Sequence, residues 1–371
     1  MFDITLIMLG AGNSTRMQMP TKKQWLYIDD EPLWLYATKN LGKFYTFKEI
    51  IIVSNEGDYM SRFAPNYIYV KGGATRQESL KNALSHVKSE YVLVSDIARA
   101  NIPHELLHKI IQNSDKADCI VPVLNVVDTT YYQNETIERE KIKLIQTPQL
   151  SRTKILSKAL QSDTLYTDDS SAIRAVGGSI WQIQGDERAR KITTYDDLFK
   201  ISLLPPSKEQ FVGTGFDVHE FAKGYDLWLC GEKIEYENGL KAHSDGDVAL
   251  HALTDAILGA AGLGDIGEHF PDNDPSYKGA NSLTLLKTAY EKVQSVGFEL
   301  VNADITIMAE QPKISKFKAK MQNNIAAALN VMPNRINVKA TTTEKLGFVG
   351  RKEGIAVIAT AGIKYYDWTK K

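Results

Sequence analysis

The sequence predicts an α/β protein in two parts: a doubly wound, mostly parallel sheet, then a compact α+β domain with helices on one face of a sheet. Three observations carry this. Short apolar runs alternate with amphipathic stretches from residue 4 to about 203, as in repeated strand–helix units. The alternation breaks at Leu204-Pro205-Pro206-Ser207-Lys208-Glu209-Gln210, where two prolines stop a helix and polar residues hold the chain at the surface. Beyond it, strand-period and helix-period runs mix. The expected division is therefore 1–204, a linker at 205–210, and 211–371; a length of 371 residues allows two or three domains.

Lys and Arg number 44 against 45 Asp and Glu, so no basic excess draws nucleic acid, and anion binding must be local. The two cysteines, Cys119 and Cys230, sit in apolar runs without Cys-x-x-Cys spacing and read as thiols of a reducing compartment. The first residues enter a strand-like run with no basic segment or cleavage site, and no apolar run is long enough to span a bilayer. A cytoplasmic protein with no membrane partner is expected.

In the first half, residues 4–9 suit a buried parallel strand. It runs into Gly10-Ala11-Gly12-Asn13-Ser14-Thr15-Arg16-Met17, with Lys22, Lys23 and Gln24 beyond. Small residues let a phosphate approach the backbone, and Arg16 adds a fixed cationic fork. The loop lacks the third glycine of a dinucleotide fingerprint and the Gly-Lys-Ser/Thr of a Walker loop, and taken alone such a loop is more often plain turn chemistry. Strands follow at 49–54 and 67–70. A second small-residue loop, Gly72-Gly73-Ala74-Thr75-Arg76-Gln77-Glu78-Ser79, opens a helix with Leu80, Ala83, Leu84 and Val87 on its apolar face. The strand at 91–95 is closed by Asp96, with Arg99 three residues later. A carboxylate at the end of a parallel strand is either a ligand contact or a turn cap. A helix from about Pro103 and a strand near 119–123 continue the pattern.

In the second half, Gly215-Phe216-Asp217-Val218-His219 reads as extended, with Asp217 and His219 on one side. Lys241-Ala242-His243-Ser244-Asp245-Gly246-Asp247 leads into a helix in which Val248, His251, Ala252, Asp255 and Leu258 share a face, with Ser244 and Asp245 as expected caps. A lone helical histidine is more often packed or solvated than a ligand. Asp217, His219 and His251 together offer three metal ligands and an open fourth position, as catalytic zinc sites do. Asp255 reads as a carboxylate orienting a ligand. Helices are expected at 281–296, stopped by Gly297, and at about 314–329; strands at 301–309, 335–341 and 354–363.

The wording of 215–219, of 243–255, of Leu263-Gly264-Asp265-Ile266-Gly267, of Phe270-Pro271-Asp272 and of 338–348 resembles the 2-C-methyl-D-erythritol 2,4-cyclodiphosphate synthases over residues 210–371. The two loops of the first half, Asp96-Ile97-Ala98-Arg99, Gln146-Thr147-Pro148-Gln149, residues 167–172 and Lys191-Ile192-Thr193 resemble the 2-C-methyl-D-erythritol 4-phosphate cytidylyltransferases over residues 1–204. Lys22 stands where that family usually has proline, Gly10-Ala11-Gly12 where it often has Ala-Ala-Gly, and Ala100 where it has proline. These changes affect loop stiffness and leave the charges in place.

The first resemblance implies that Asp217, His219 and His251 hold Zn2+ or another divalent metal. Glu344 would bind Mg2+ or Mn2+, and Thr341, Thr342 and Thr343 would donate to phosphate. It further implies Asp265 at a ribose, His243 and Ser244 in a mobile loop, and Ala309, Lys313 and Ile314 at cytosine. Phe348, Gly350 and Arg351 would line a cavity on a trimer axis. The second implies CTP and Mg2+ held by Gly10, Gly12, Arg16, Lys23 and Lys191, with Gly72, Gly73 and Ser79 near cytosine and ribose and Asp96 at substrate or metal. Arg139 and Thr147 would hold methylerythritol phosphate, across a dimer interface if the family pattern holds; Arg139 sits in a charged run that also reads as a solvated face.

The expected whole is a two-reaction enzyme of isoprenoid-precursor synthesis acting on CTP, methylerythritol phosphate and CDP-methylerythritol 2-phosphate. A homo-oligomer, trimer or hexamer, is expected. The kinase that acts between the two steps is a candidate partner. The competing readings are a ligand-binding scaffold, and a general nucleotidyltransferase joined to a metal-dependent phosphohydrolase.

Overall fold

The computed structural model describes residues 2–370 except 272 and 278. Asp272 of the Phe-Pro-Asp motif therefore lies outside the described residues, as do the expected outer bounds 1 and 371. The chain divides into two units, Met1–Pro205 and Pro206–Lys371.

The first unit holds β1 (Ile4–Leu9), β2 (Glu49–Val53), β3 (Ile68–Val70), β4 (Tyr91–Asp96), β5 (Cys119–Asn125), β6 (Lys143–Ile145), β7 (Gln149–Arg152) and β8 (Ile180–Gln184). Its helices include α1 (Leu33–Gly42), α2 (Arg76–Leu84), α3 (His104–Gln112), α4 (Thr153–Ala159) and α5 (Asp169–Ala175). Strand order is β6-β5-β7-β4-β1-β2-β3, with β8 on the other side of β5. β1, β2, β3 and β4 run parallel, as do β5 and β8. The antiparallel β7 is wedged between β4 and β5, where no alternation in the sequence announces it. One sheet face packs Ile7, Leu9, Val92 and Val94 against Leu80, Ala83 and Leu156. Leu6, Met8 and Ile52 on the other face are also fully buried. Both faces are covered, which is why β1 and β4 are mostly apolar with no polar face. The chain passes from β1 outward to β3 and returns to β4 on β1's other flank. This reversal makes a switch point where Leu9 pairs with Asp96, and ligands bind beyond the strand ends at such points.

The second unit holds β9 (Gln210–Ala222), β10 (Gly239–Leu240), β11 (Phe298–Met308), β12 (Ile336–Thr341) and β13 (Gly354–Tyr365), in the order β10-β9-β13-β11-β12. β9 starts inside the expected linker, and its Gln210 pairs with Lys364 of β13. The principal helices are α6 (Val248–Ala260), α7 (Ile266–His269), α8 (Ser282–Ser295) and α9 (Lys318–Leu329). Ile355, Val357, Ala359, Ala361 and Ile363 of β13 are fully buried on the helical face. On the opposite face Val212, Phe216, Val218 and Ile358 are exposed in the single chain.

α6 lies on β9 and β13 with backbone almost touching backbone. A Cβ at Gly215 would stand 2.0 Å from the Ala252 carbonyl oxygen, and one at Gly213 2.2 Å from that of Ala256. Asp217 and His219 follow on the same strand face, so this contact brings His251 over them. α6 is capped by Asp247, which accepts the Leu250 amide, rather than by Ser244 or Asp245. Asp247 also accepts the amides of Cys230 and Gly231, so one buried carboxylate closes the helix end and ties it to a distant turn.

Candidate active sites

In the first unit, Gly10 to Arg16, Lys23, Gln24, Asn55, Gly73 to Arg76, Ser79, Asp96, Lys191 and Thr193 line a cavity of 580 Å³. Its floor follows from sequence. Gly72 is needed because a Cβ there would lie 2.3 Å from that of Ala11, so the two small-residue loops pack face to face. Gly12 has open space on its side-chain side. Thr75 and Glu78 form a capping box on α2, and the Ser79 hydroxyl accepts the Gly73 amide at 3.0 Å.

Cations gather on the far wall. Lys23 Nζ donates to the Ile192 carbonyl at 2.8 Å, and Lys191 Nζ to Asp96 at 2.9 Å. Burial first, then the Lys191 and Arg16 charges, push the Lys23 ammonium down to about 8. Burial acts to raise Asp96, yet Lys191, Arg76 and Arg99 outweigh it and hold the carboxyl below its ordinary range. Arg99 donates to the Thr147 hydroxyl at 2.8 Å, and that hydroxyl reaches Asp96 at 3.3 Å. Thr147 thus sits behind Asp96. Arg139 lies away from this cavity, exposed, donating to the Val127 carbonyl at 2.6 Å and to Glu140 at 3.1 Å.

Sequence reasoning passed over Arg76. It donates to the fully buried Asp169 at 2.8 Å and stands 3.9 Å from Asp96, so alternating charges run from Asp169 through Arg76 and Asp96 to Lys191. The adjacent acids at 168–169 were a usable signal, but their partner lies 93 residues away. Lys22, where the family usually has proline, pairs with Glu56, which also accepts from Gln24.

In the second unit, Asp217 Oδ2 is 3.1 Å from His219 Nε2 and 3.2 Å from His251 Nδ1. The ligand atoms of the trio lie within 4.8 Å of one another, the sole such group of three among the described residues. One carboxylate and two imidazoles in this arrangement fit a divalent metal with one position left toward a 650 Å³ cavity. Burial acts to raise Asp217, but both imidazoles hold its carboxyl far below the usual range; burial acts to lower His251, and Asp217 outweighs it and raises the ring. His251 Nε2 lies 3.1 Å from the hydroxyls of Ser244 and Ser282. The Ser282 hydroxyl donates to Asp245, so it accepts the Nε2 proton and leaves Nδ1 facing the trio. His243, Ser244 and Asp255 line the same cavity.

Asp255 accepts the Ile266 amide at 2.7 Å, so it anchors the loop beside Asp265 instead of orienting a histidine. Asp265 caps α7 through the Glu268 amide. Ala309, Lys313, Ile314, Thr341 to Glu344, Phe348 and Arg351 lie outside the cavity around the trio. Ala309 and Ile314 are buried, Lys313 and Glu344 exposed, and Arg351 holds Glu353 in a two-pronged pair at 2.9 Å. β12, which leads into 341–346, is the third strand from β9, roughly 14 Å at ordinary strand spacing. Glu344 and Lys345 both have left-handed φ, +53° and +67°. Thr343 spends its amide on Glu310, so that amide is unavailable to a phosphate.

Fold and sites define a class: a nucleotidyl-transfer domain joined to a metal-dependent phosphate-chemistry domain. Residues 4–203 match the 2-C-methyl-D-erythritol 4-phosphate cytidylyltransferase profile, and residues 210–364 the YgbB family profile. The chain is 72% identical to the bifunctional enzyme IspD/IspF of Campylobacter curvus and 68% identical to that of Campylobacter concisus, covering all of both chains. The structure of the bifunctional IspDF from Campylobacter jejuni superposes with a TM-score of 0.95 at 57% identity, over 99% of this chain and 100% of that one. The chain belongs to the bifunctional IspD/IspF family, which joins a cytidylyltransferase to a cyclodiphosphate synthase for isoprenoid-precursor synthesis.

Proposed function

We propose that the first cavity transfers the cytidylyl group from CTP to 2-C-methyl-D-erythritol 4-phosphate. A 4-phosphate oxygen attacks the α-phosphorus, and the bond to pyrophosphate breaks. Charge gathers on the α-phosphate and the leaving group, and Arg16, Lys23 and Lys191 answer it with fixed cations. Asp96 sets Lys191 in place and would be a carboxylate to hold Mg2+, which would neutralise phosphate charge. Gly10 and Gly12 give the triphosphate backbone clearance; Gly72, Gly73 and Ser79 shape the base and ribose end. Arg139 serves the methylerythritol phosphate of a neighbouring subunit, which agrees with its distance from its own cavity.

The second unit closes a ring. A 2-phosphate oxygen of CDP-methylerythritol 2-phosphate attacks the β-phosphorus, the bond to CMP breaks, and an eight-membered cyclodiphosphate forms. The enzyme supplies no nucleophile; it holds two mutually repelling phosphates together. Zn2+ at Asp217, His219 and His251, with Mg2+ or Mn2+ at Glu344, would supply the charge neutralisation that this approach requires. Asp265 takes the ribose, Ala309, Lys313 and Ile314 the cytosine, Thr341 and Thr342 the diphosphate, and His243 and Ser244 the methylerythritol end; Thr343, with its amide on Glu310 and its hydroxyl on the Leu346 carbonyl, shapes the turn instead.

The observation carrying this reading is the separation of the trio from the Glu344 loop within one chain. It supports a site shared between neighbours, hence a trimer, with Phe348 and Arg351 toward its axis. The two buried free thiols agree with a cytoplasmic setting, and the intervening kinase remains a candidate partner. Product analysis tests the whole. CTP with methylerythritol phosphate should release pyrophosphate. The diphosphate substrate should yield CMP with no oxygen from labelled water; label in the product would instead mark a phosphohydrolase.

A further inference from the structure

We propose that Glu310 is a positioning residue of the cyclase site, pinning the backbone of 343–345 and so setting where Glu344 and the Thr342 hydroxyl point. The proposal rests on the reading of the second unit given above. Glu310 leaves β11 directly after Ala309, whose amide donates to the Thr341 carbonyl at 3.0 Å. One oxygen of its carboxylate accepts two amides, those of Thr343 at 3.2 Å and Lys345 at 3.0 Å. Around these amides the chain turns through left-handed φ at Glu344 and Lys345, and again at Gly347 at +68°.

Side-chain-bearing residues rarely adopt two such conformations in succession without help from outside the segment. Converging amides at a kink of this kind make a concavity for an anion. Here the anion belongs to the protein. The exit from the kink is walled as well, since a Cβ at Gly350 would lie 2.1 Å from the Lys345 carbonyl carbon.

Two consequences follow for the ligand. The Thr343 and Lys345 amides are taken, so neither is free to bind a diphosphate. Thr343 Oγ1 is turned to the Leu346 carbonyl at 2.7 Å, while Thr342 Oγ1 donates to the Glu344 carboxylate at 3.0 Å. Glu310 also belongs to the segment carrying Ala309, Lys313 and Ile314. A single side chain therefore ties the base-holding segment to the metal-holding one and fixes their spacing.

The carboxylate acts here as an acceptor, so a neutral amide retains the function and a methyl group does not. The test uses the full-length chain with Glu310→Ala and Glu310→Gln. Glu310→Ala should raise deuterium uptake across 341–346. It should weaken Mn2+ binding, read by electron paramagnetic resonance, by about tenfold, and raise KM for the diphosphate substrate by a similar factor. Zinc content and pyrophosphate release should stay at wild-type levels. Glu310→Gln should stay within about threefold on each measure. Wild-type uptake or wild-type Mn2+ affinity in Glu310→Ala overturns the proposal. So does loss of zinc, which would mean general damage, or a Glu310→Gln as impaired as the alanine. If the wild-type chain made no CMP, the functional reading would fall, while uptake and Mn2+ affinity would still decide the role of Glu310.

Discussion

Burial and two neighbouring cations lower the Lys23 ammonium to about 8, so its proposed role makes the first site's activity depend on pH. Its role requires the charged form, which is lost as pH rises through about 8. Since kcat/KM reports the free enzyme, kcat/KM for CTP should fall above that pH, and Lys23→Arg should remove the fall. Pyrophosphate assays from pH 6 to 10 check this, and a profile unchanged by the arginine would refute it. Lys23→Ala or Arg16→Ala should slow pyrophosphate release by a barrier increase of about 2–4 kcal/mol and leave CMP formation intact. His251→Ala should do the reverse and lower zinc content, measured by atomic emission; a mutant with full zinc would remove His251 from the ligand set. At this scale the sequence was informative about residue types. The structure clusters Asp217, His219 and His251 and sets Lys23 and Lys191 on one cavity, and the trio's spacing was readable because position along a strand or helix is a local property. Arg76, Asp247 and Asp255 were opaque for the opposite reason: each acts on a partner that only the fold brings near.

Among elements, the contact of α6 with β9 decides whether the trio exists. Nothing in the sequence singles out Gly213 or Gly215, yet they leave the gap into which the helix backbone settles. Gly215→Ala would place a methyl group against the Ala252 carbonyl. Overpacking of this order costs about 1–3 kcal/mol and should lift His251 away from Asp217. Denaturant unfolding should show the loss in the second unit's transition, and zinc affinity should fall with it; full zinc affinity in a destabilised variant would separate packing from ligand geometry. The strand–helix alternation predicted the parallel strands of the first unit and the helix-covered sheet of the second, since periodicity records which side of an element is buried. It did not show β7 entering antiparallel between β4 and β5. Four short residues carry too little pattern to reveal direction, and direction depends on strands far away in the chain.

Across the whole molecule, the uncovered sheet face of the second unit carries Val212, Phe216, Val218 and Ile358, side chains that a monomer would leave wet. If a three-fold contact formed there and a two-fold contact in the first unit, the two would close into a hexamer. Light scattering coupled to size exclusion should show trimers at least, and hexamers as concentration rises. A monodisperse monomer with full CMP formation would contradict the shared site, and a stable trimer would remove the two-fold contact alone. The pairing of Gln210 with Lys364 bears on how such a chain can arise. The second unit begins and finishes on adjacent, antiparallel strands, so its sheet is complete without anything upstream. Another domain can be joined ahead of β9 without cutting an internal connection. The same geometry makes the unit a natural subject for circular permutation: a short turn joining Tyr365 to Gln210, with new ends opened at an exposed loop, preserves every strand pairing on which Asp217, His219 and His251 depend.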